Sequence, residues 1–124
     1  MIRALADPAR SSRNATAPSP GLTGAYYPRM AFGLVAFHYP SPEHRDELVQ
    51  RMQAAAGVMR TVEGCLGVSV WEARESDALV STGTFVSEEA WTQAARAVLE
   101  AGVDFDYDER ELRPRAVHFL VQPD

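Results

Sequence analysis

Between Ala31 and Tyr39 nearly every position is apolar, and Pro40 closes the run, which predicts a strand buried on both faces. The pattern then changes period. Ser41, Pro42, Glu43 and Asp46 make a helix-start signature, in which Ser41 is expected to cap a backbone N–H, Pro42 suits the first turn and the acids face the positive helix end. Leu48, Met52, Ala55, Met59 and Val62 follow at steps of four, three, four and three, so they share one helical stripe, which Gly64 terminates. Residues 65–72 read as a second strand, Arg74 to Asp77 as a polar hairpin turn, and residues 78–85 as the returning strand. Ser87, Glu88 and Glu89 repeat the cap-plus-acid signature before a helix whose apolar side is Trp91, Ala94, Ala95, Val98 and Leu99, with Gly102 as its stop. The acidic stretch from Asp104 to Glu111 reads as a solvated loop, and residues 116–121 form a last apolar strand ended by Pro123.

Strand, helix, strand, strand, helix, strand is the βαββαβ order of an α+β, ferredoxin-like domain. Right-handed crossovers then give an antiparallel sheet with the first strand beside the last and both helices on one face. The first and last strands are apolar on both parities. The second sheet face therefore needs a cover, and a second copy of the chain in a homodimer is the expected one.

A chain of 124 residues holds one core, placed here at residues 30–124. Residues 1–29 are rich in Ala, Ser, Pro and Arg without apolar periodicity, and read as a tail or extension, with Met30 as an alternative start. That tail holds four Arg and one Asp; the rest carries eight Arg against sixteen acids, a net charge of −8. Such a balance argues against nucleic acid or an anionic membrane as the partner, since phosphate binding requires clustered basic charge. The lone Cys65 forms no internal disulfide framework and no multi-cysteine metal site, and fits a reducing cytoplasm.

Two segments carry a resemblance. The stretch from Val62 to Val70, with Glu63-Gly64, Gly67 and Val70, resembles the EGxxGxxV strand entry of antibiotic biosynthesis monooxygenase-type domains, and the stretch from Phe85 to Ala90 resembles their WxSxEA turn. With the matching element order the similarity covers roughly residues 31 to 122. The resemblance implies a dimeric α+β barrel; some members oxidise aromatic or quinol compounds with O₂ using no metal or flavin, and others degrade haem. This chain has Gly83 where the family often has Glu, Phe85 where it has Trp, and Ala94 where it has His, or Trp in haem degraders; these departures remove polar or aromatic groups and disfavour haem degradation, although a strand histidine could still ligate iron. The implied function is cofactor-independent oxygenation of a small aromatic, quinol or polyketide-like compound. A cyclase or a non-catalytic small-ligand module of the same fold is the alternative.

Oxygenation of that kind asks little of a protein. An ionised phenol or enol gives an electron to O₂ itself, once a base takes its proton and a dry pocket shields the intermediate. His38, near the end of a buried strand, is the first candidate base. His118, on the expected neighbouring strand, is the second if the two share a cavity; a lone strand histidine is more often a hydrogen-bonded structural residue, and that is the alternative for each. Trp71 and Trp91 offer stacking planes, with Ser69 and Cys65 on the strand parity of Trp71, and Phe85 stands at the family's Trp position. Trp71, Ser69, Trp91 and Phe85 are thus the substrate-binding candidates. His44 reads as solvated, and Tyr39, of opposite parity to His38, as an interface residue.

Overall fold

The computed structural model describes residues 31–123, so the tail assigned to residues 1–29 lies outside the described residues. Strand β1 spans Phe32–His38, and a 3₁₀ turn at Pro42–His44 leads into helix α1, Arg45–Met59. Strands β2 (Cys65–Glu72) and β3 (Leu79–Phe85), helix α2 (Glu88–Glu100) and strand β4 (Ala116–Val121) follow. The sheet is antiparallel with the order β2-β3-β1-β4, so the first and last strands are neighbours and the fold is the ferredoxin-like α+β arrangement expected from the element order. No helix of the described residues is long and apolar enough to cross a membrane.

The periodicity of each element sets its buried face. Along β1 the side chains of Phe32, Leu34, Ala36 and His38 are buried and those between them are half-buried. On α1 the stripe read from the sequence is buried at Leu48, Met52 and Ala55, with Ala56 beside it; the helix ends at Met59, and Val62 reaches the core from the following turns. Helix α2 contributes Ala90, Ala94 and Val98, and these pack with Ala56, Val68 and Phe85. Leu99, expected on that apolar side, is 73% exposed.

The two helix starts differ. Ser87 Oγ accepts a hydrogen bond from Ala90 N at 3.1 Å, as its cap signature predicts. Ser41 makes no such bond: its Oγ lies 2.9 Å from His44 Nδ1, because the intervening 3₁₀ turn brings that imidazole round to the hydroxyl. Helix α2 stops at Gly102 (φ 77°), where Gly102 N donates to Leu99 O and Val103 N to Val98 O.

Gly64 packs closely against the start of α2. Its φ is +95°, and a Cβ built there would meet the Ala90 Cβ at 2.7 Å, so both backbone conformation and the approach of α2 require glycine. Gly64→Ala is expected to lower unfolding stability by about 2 kcal/mol, read as a reduced urea midpoint at unchanged slope. A β-bulge follows between Cys65 and Gly67. It reverses the parity of what precedes it: Cys65 pairs with Phe85 and packs into the core, whereas Ser69 pairs with Thr82 on the opposite face.

Among the described residues no helix lies on that opposite face. It carries Val35 and Phe37 from β1, Val80 and Thr82 from β3, Ser69 and Trp71 from β2, and His118 and Leu120 from β4. Trp71 and Leu120 are each 41% exposed.

Candidate active site

The last helix-facing residue of β1 is His38, and its surroundings come from a segment far along the chain. After α2 the backbone folds back beside the end of β1. Ser41 N donates to Arg110 O at 3.0 Å, Leu112 N donates to Tyr39 O at 2.7 Å, and Pro40 bridges to Glu111 between them. Two arginines tie this segment to α1 and to itself: Arg51 donates to Asp104 O at 2.9 Å, and Arg110 donates to Glu47 Oε2 at 3.0 Å and to both carboxylate oxygens of Asp108. The pairing carries Glu111 inward, to 5% exposure.

Glu111 Oε2 accepts from Arg115 Nε at 2.9 Å and Nη2 at 2.5 Å, and Arg115 Nη1 donates to Phe105 O at 2.7 Å. The guanidinium also lies 4.7 Å from the Phe105 ring centroid, and that ring lies 5.3 Å from the imidazole of His38. Two charge-assisted bonds from one planar group are what make a buried carboxylate tolerable; breaking such a pair leaves a buried charge and costs roughly 3–5 kcal/mol.

The other carboxylate oxygen has no such partner. Glu111 Oε1 is buried without a hydrogen bond, 3.8 Å from His38 Nδ1, and neither ring nitrogen of His38 has a hydrogen-bond partner among the described residues. Each unsatisfied buried polar atom costs roughly 1–3 kcal/mol, so three within one contact mark a place where packing alone does not explain the residues. Burial pushes the His38 pKa down from 6.5 to about 4, the Arg115 charge adds to the fall, and the Glu111 carboxylate partly opposes it. His38 is therefore a neutral imidazole at neutral pH.

His38 lines a cavity of about 340 Å³ between the sheet and the helices. Its walls are Leu34, Ala36, Val68 and Val70 from the sheet, Met52, Ala55, Ala56 and Met59 from α1, and Trp91, Ala95 and Val98 from α2. Phe105, Asp106 and Arg115 bound it on the side of the returning segment, and Ser81 adds a hydroxyl. An apolar chamber with a few convergent polar groups is the usual form of a small-molecule site, and this volume is at the small end of that range.

The family profile described as antibiotic biosynthesis monooxygenase matches residues 31–97, more than half of the chain. The chain belongs to the antibiotic biosynthesis monooxygenase family. Among curated protein sequences none matches it. Solved structures are similar in fold. Rv0793 from Mycobacterium tuberculosis is 24% identical, with a TM-score of 0.64 over 76% of this chain and 96% of that one. A conserved protein from Methanosarcina mazei is 17% identical, with a TM-score of 0.67 over 77% and 95%. A mutant of SnoaB, a cofactor-independent oxygenase from Streptomyces nogalater, is 10% identical, with a TM-score of 0.62 over 77% and 95%.

In this antibiotic biosynthesis monooxygenase domain the candidate residues fall into three groups. His38 and Trp91 come together at the cavity, where the indole also lies 5.7 Å from the Phe85 ring and 5.8 Å from that of Phe119. His118 pairs with Val35, one position out of phase with His38, so the two histidines lie on opposite sheet faces and share no cavity. Trp71 and Ser69 stand on that same outer face, and the Trp71 indole N–H donates to Thr82 Oγ at 3.0 Å. Phe85 faces the core but has no exposed surface and does not line the cavity. Of the sequence candidates the cavity thus brings Trp91 to His38, while register sets His118, Trp71 and Ser69 on the other sheet face and Phe85 is fully buried. Glu111, Arg115 and Phe105 were not singled out from the sequence. They lie C-terminal to the family match, and Glu111 sits in an acidic run that reads as solvent-facing.

Proposed function

We propose that this domain is a cofactor-independent oxygenase of a small aromatic phenol or hydroquinone, with His38 as the base that takes the substrate's proton. The observation that carries this reading is a buried, neutral imidazole, without a hydrogen-bond partner among the described residues, in a mostly apolar cavity. A flat ring would fill the space between the aliphatic sheet residues and α1 with Trp91 at its edge. Its hydroxyl would meet His38. Proton transfer in that dry setting forms a phenolate–imidazolium pair whose mutual attraction is far larger than in water. The electron-rich anion passes one electron to O₂, and the resulting superoxide and carbon radical combine at a ring carbon that bears a hydrogen. The imidazolium returns its proton to the peroxide, and that ring hydrogen leaves with the outer oxygen as water, so that a C=O remains. Counted on the keto tautomer of the phenol the balance is CH₂ + O₂ → C=O + H₂O, so the substrate supplies all the electrons.

Oxygen uptake by metal-stripped protein against a panel of hydroquinones and anthrone-like phenols, with autoxidation subtracted, tests the proposal. Enzyme-dependent uptake by the wild-type chain supports it. Saturable binding of the same compounds without uptake would replace it with the ligand-module reading.

The same proposal includes a homodimer formed through the outer sheet face. Val35, Phe37, Val80, Trp71 and Leu120 form a contiguous apolar surface there by strand register, and such a surface favours a partner over water. Light scattering after gel filtration is expected to give twice the chain mass for the wild type and the single chain mass for Phe37→Glu, which sets a charge in the centre of that surface.

A further inference from the structure

We infer that Glu111, clamped by Arg115, is a positioning residue that holds His38 as the Nδ1–H tautomer and so leaves Nε2 to accept the substrate proton. The inference rests on the proposed role of His38 as base. It starts from an asymmetry in the carboxylate. One oxygen of Glu111 is engaged by Arg115, while the other is buried, has no donor among the described residues and lies 3.8 Å from His38 Nδ1. A carboxylate oxygen only accepts, so the nitrogen nearest to it is favoured as the one carrying hydrogen. The remaining nitrogen, Nε2, is buried as well and carries a lone pair with no hydrogen-bond partner among the described residues.

The 3.8 Å gap is too long for a hydrogen bond. At that distance Glu111 still acts on the ring through its charge, and the attraction strengthens as positive charge develops on the imidazole. Every charged group acting on that ring takes part. Arg115 and Arg51, from the returning segment and from α1, oppose the imidazolium, Glu111 favours it, and Asp106 stands at the cavity wall. Glu111 is thus the group placed to stabilise the protonated base, and Arg115 holds its side chain in place through two hydrogen bonds. An acid–base histidine oriented by a second-layer carboxylate is a recurrent chemical arrangement. Here the carboxylate comes from a segment outside the family match.

The tautomer is directly readable by ¹H–¹⁵N long-range NMR of the intact chain labelled at histidine nitrogens, at pH 7, with His38→Phe assigning the resonances. The wild-type chain is expected to show His38 mainly as Nδ1–H. A dominant Nε2–H form would overturn the inference, and this measurement needs neither a substrate nor a Glu111 variant that folds. In Glu111→Gln the carboxamide both donates and accepts, so the single tautomer is expected to be lost, with kcat falling about 10²-fold and KM changing by less than about twofold. A Gln variant that keeps the wild-type tautomer and the wild-type kcat would likewise overturn it. Absence of uptake by the wild-type chain would instead count against the base reading, and the tautomer result would still decide the positioning of His38.

Discussion

His38→Ala is expected to lower kcat/KM for enzyme-dependent oxygen uptake by about 10²–10⁴-fold, the range supplied by a positioned general base. The same assay in the wild type is expected to place the acidic limb of the kcat/KM profile near pH 4, because His38 holds its proton only below that value in the ligand-free chain. Activity would then be level from about pH 5 to neutrality, where an ordinary histidine base, titrating near 6.5, would still be losing rate. The low proton affinity has a chemical consequence. A phenol near pKa 10 does not give its proton to an imidazole at about 4 in bulk water, so the cavity must stabilise the ion pair rather than the free base. Apolar walls that strengthen the attraction, and the Glu111 carboxylate on the far side of the ring, both act in that direction. A limb near pH 6.5, or a His38→Ala variant with wild-type uptake, would remove His38 from the chemistry.

Much of this architecture is legible in the sequence because burial imposes period on it. The stripe from Leu48 to Met59 and the caps around Ser87 and Gly102 each reflect a single local cause, and each element forms where that cause places it. Register is different in kind. Nothing in the residues themselves says which parity of β4 faces the helices, and a shift of one position moves His118 from the side of His38 to the opposite face. The bulge at Cys65 and Gly67 is equally hidden, and it separates Cys65 from Ser69 and Trp71, which a regular strand would group together. Glu111 shows the limit most clearly. It follows Asp104, Asp106, Asp108 and Glu109 in a run whose charge indicates solvent, and only the pairing of Pro40 with Glu111 and the fork from Arg115 take it inside. The one local sign is the Arg four residues on.

Lowering the pH from 6.5 to 4 is expected to cost this domain about 3 kcal/mol of unfolding stability through His38 alone. The folded chain holds this imidazole neutral down to about pH 4, whereas the unfolded chain protonates it near 6.5. Between those values the unfolded state carries the extra proton, so stability falls as pH falls. Above 6.5 both states are neutral at this residue and the effect vanishes, and below about 4 both are protonated and the loss is complete. Carboxylates act in a lower window. Asp104 is held below the ordinary carboxylate range by the backbone N–H of Asp106 and then by Arg110, and Asp108 is brought to about 2 chiefly by Arg110. Their contributions are lost only as pH drops below about 3.8, beneath the histidine window. Urea unfolding at half-unit pH intervals separates the two regimes. In His38→Phe, which fills the ring's volume without a titrating group, the slope between 6.5 and 4 is expected to shrink by the His38 share; an unchanged slope would mean that the imidazole takes its proton in the folded chain as readily as in the unfolded one. The burial that keeps His38 neutral, with a lone pair free at working pH, is thus also what makes the fold sensitive to mild acid, because both follow from burying an imidazole beside Arg115 with no hydrogen bond to either nitrogen among the described residues.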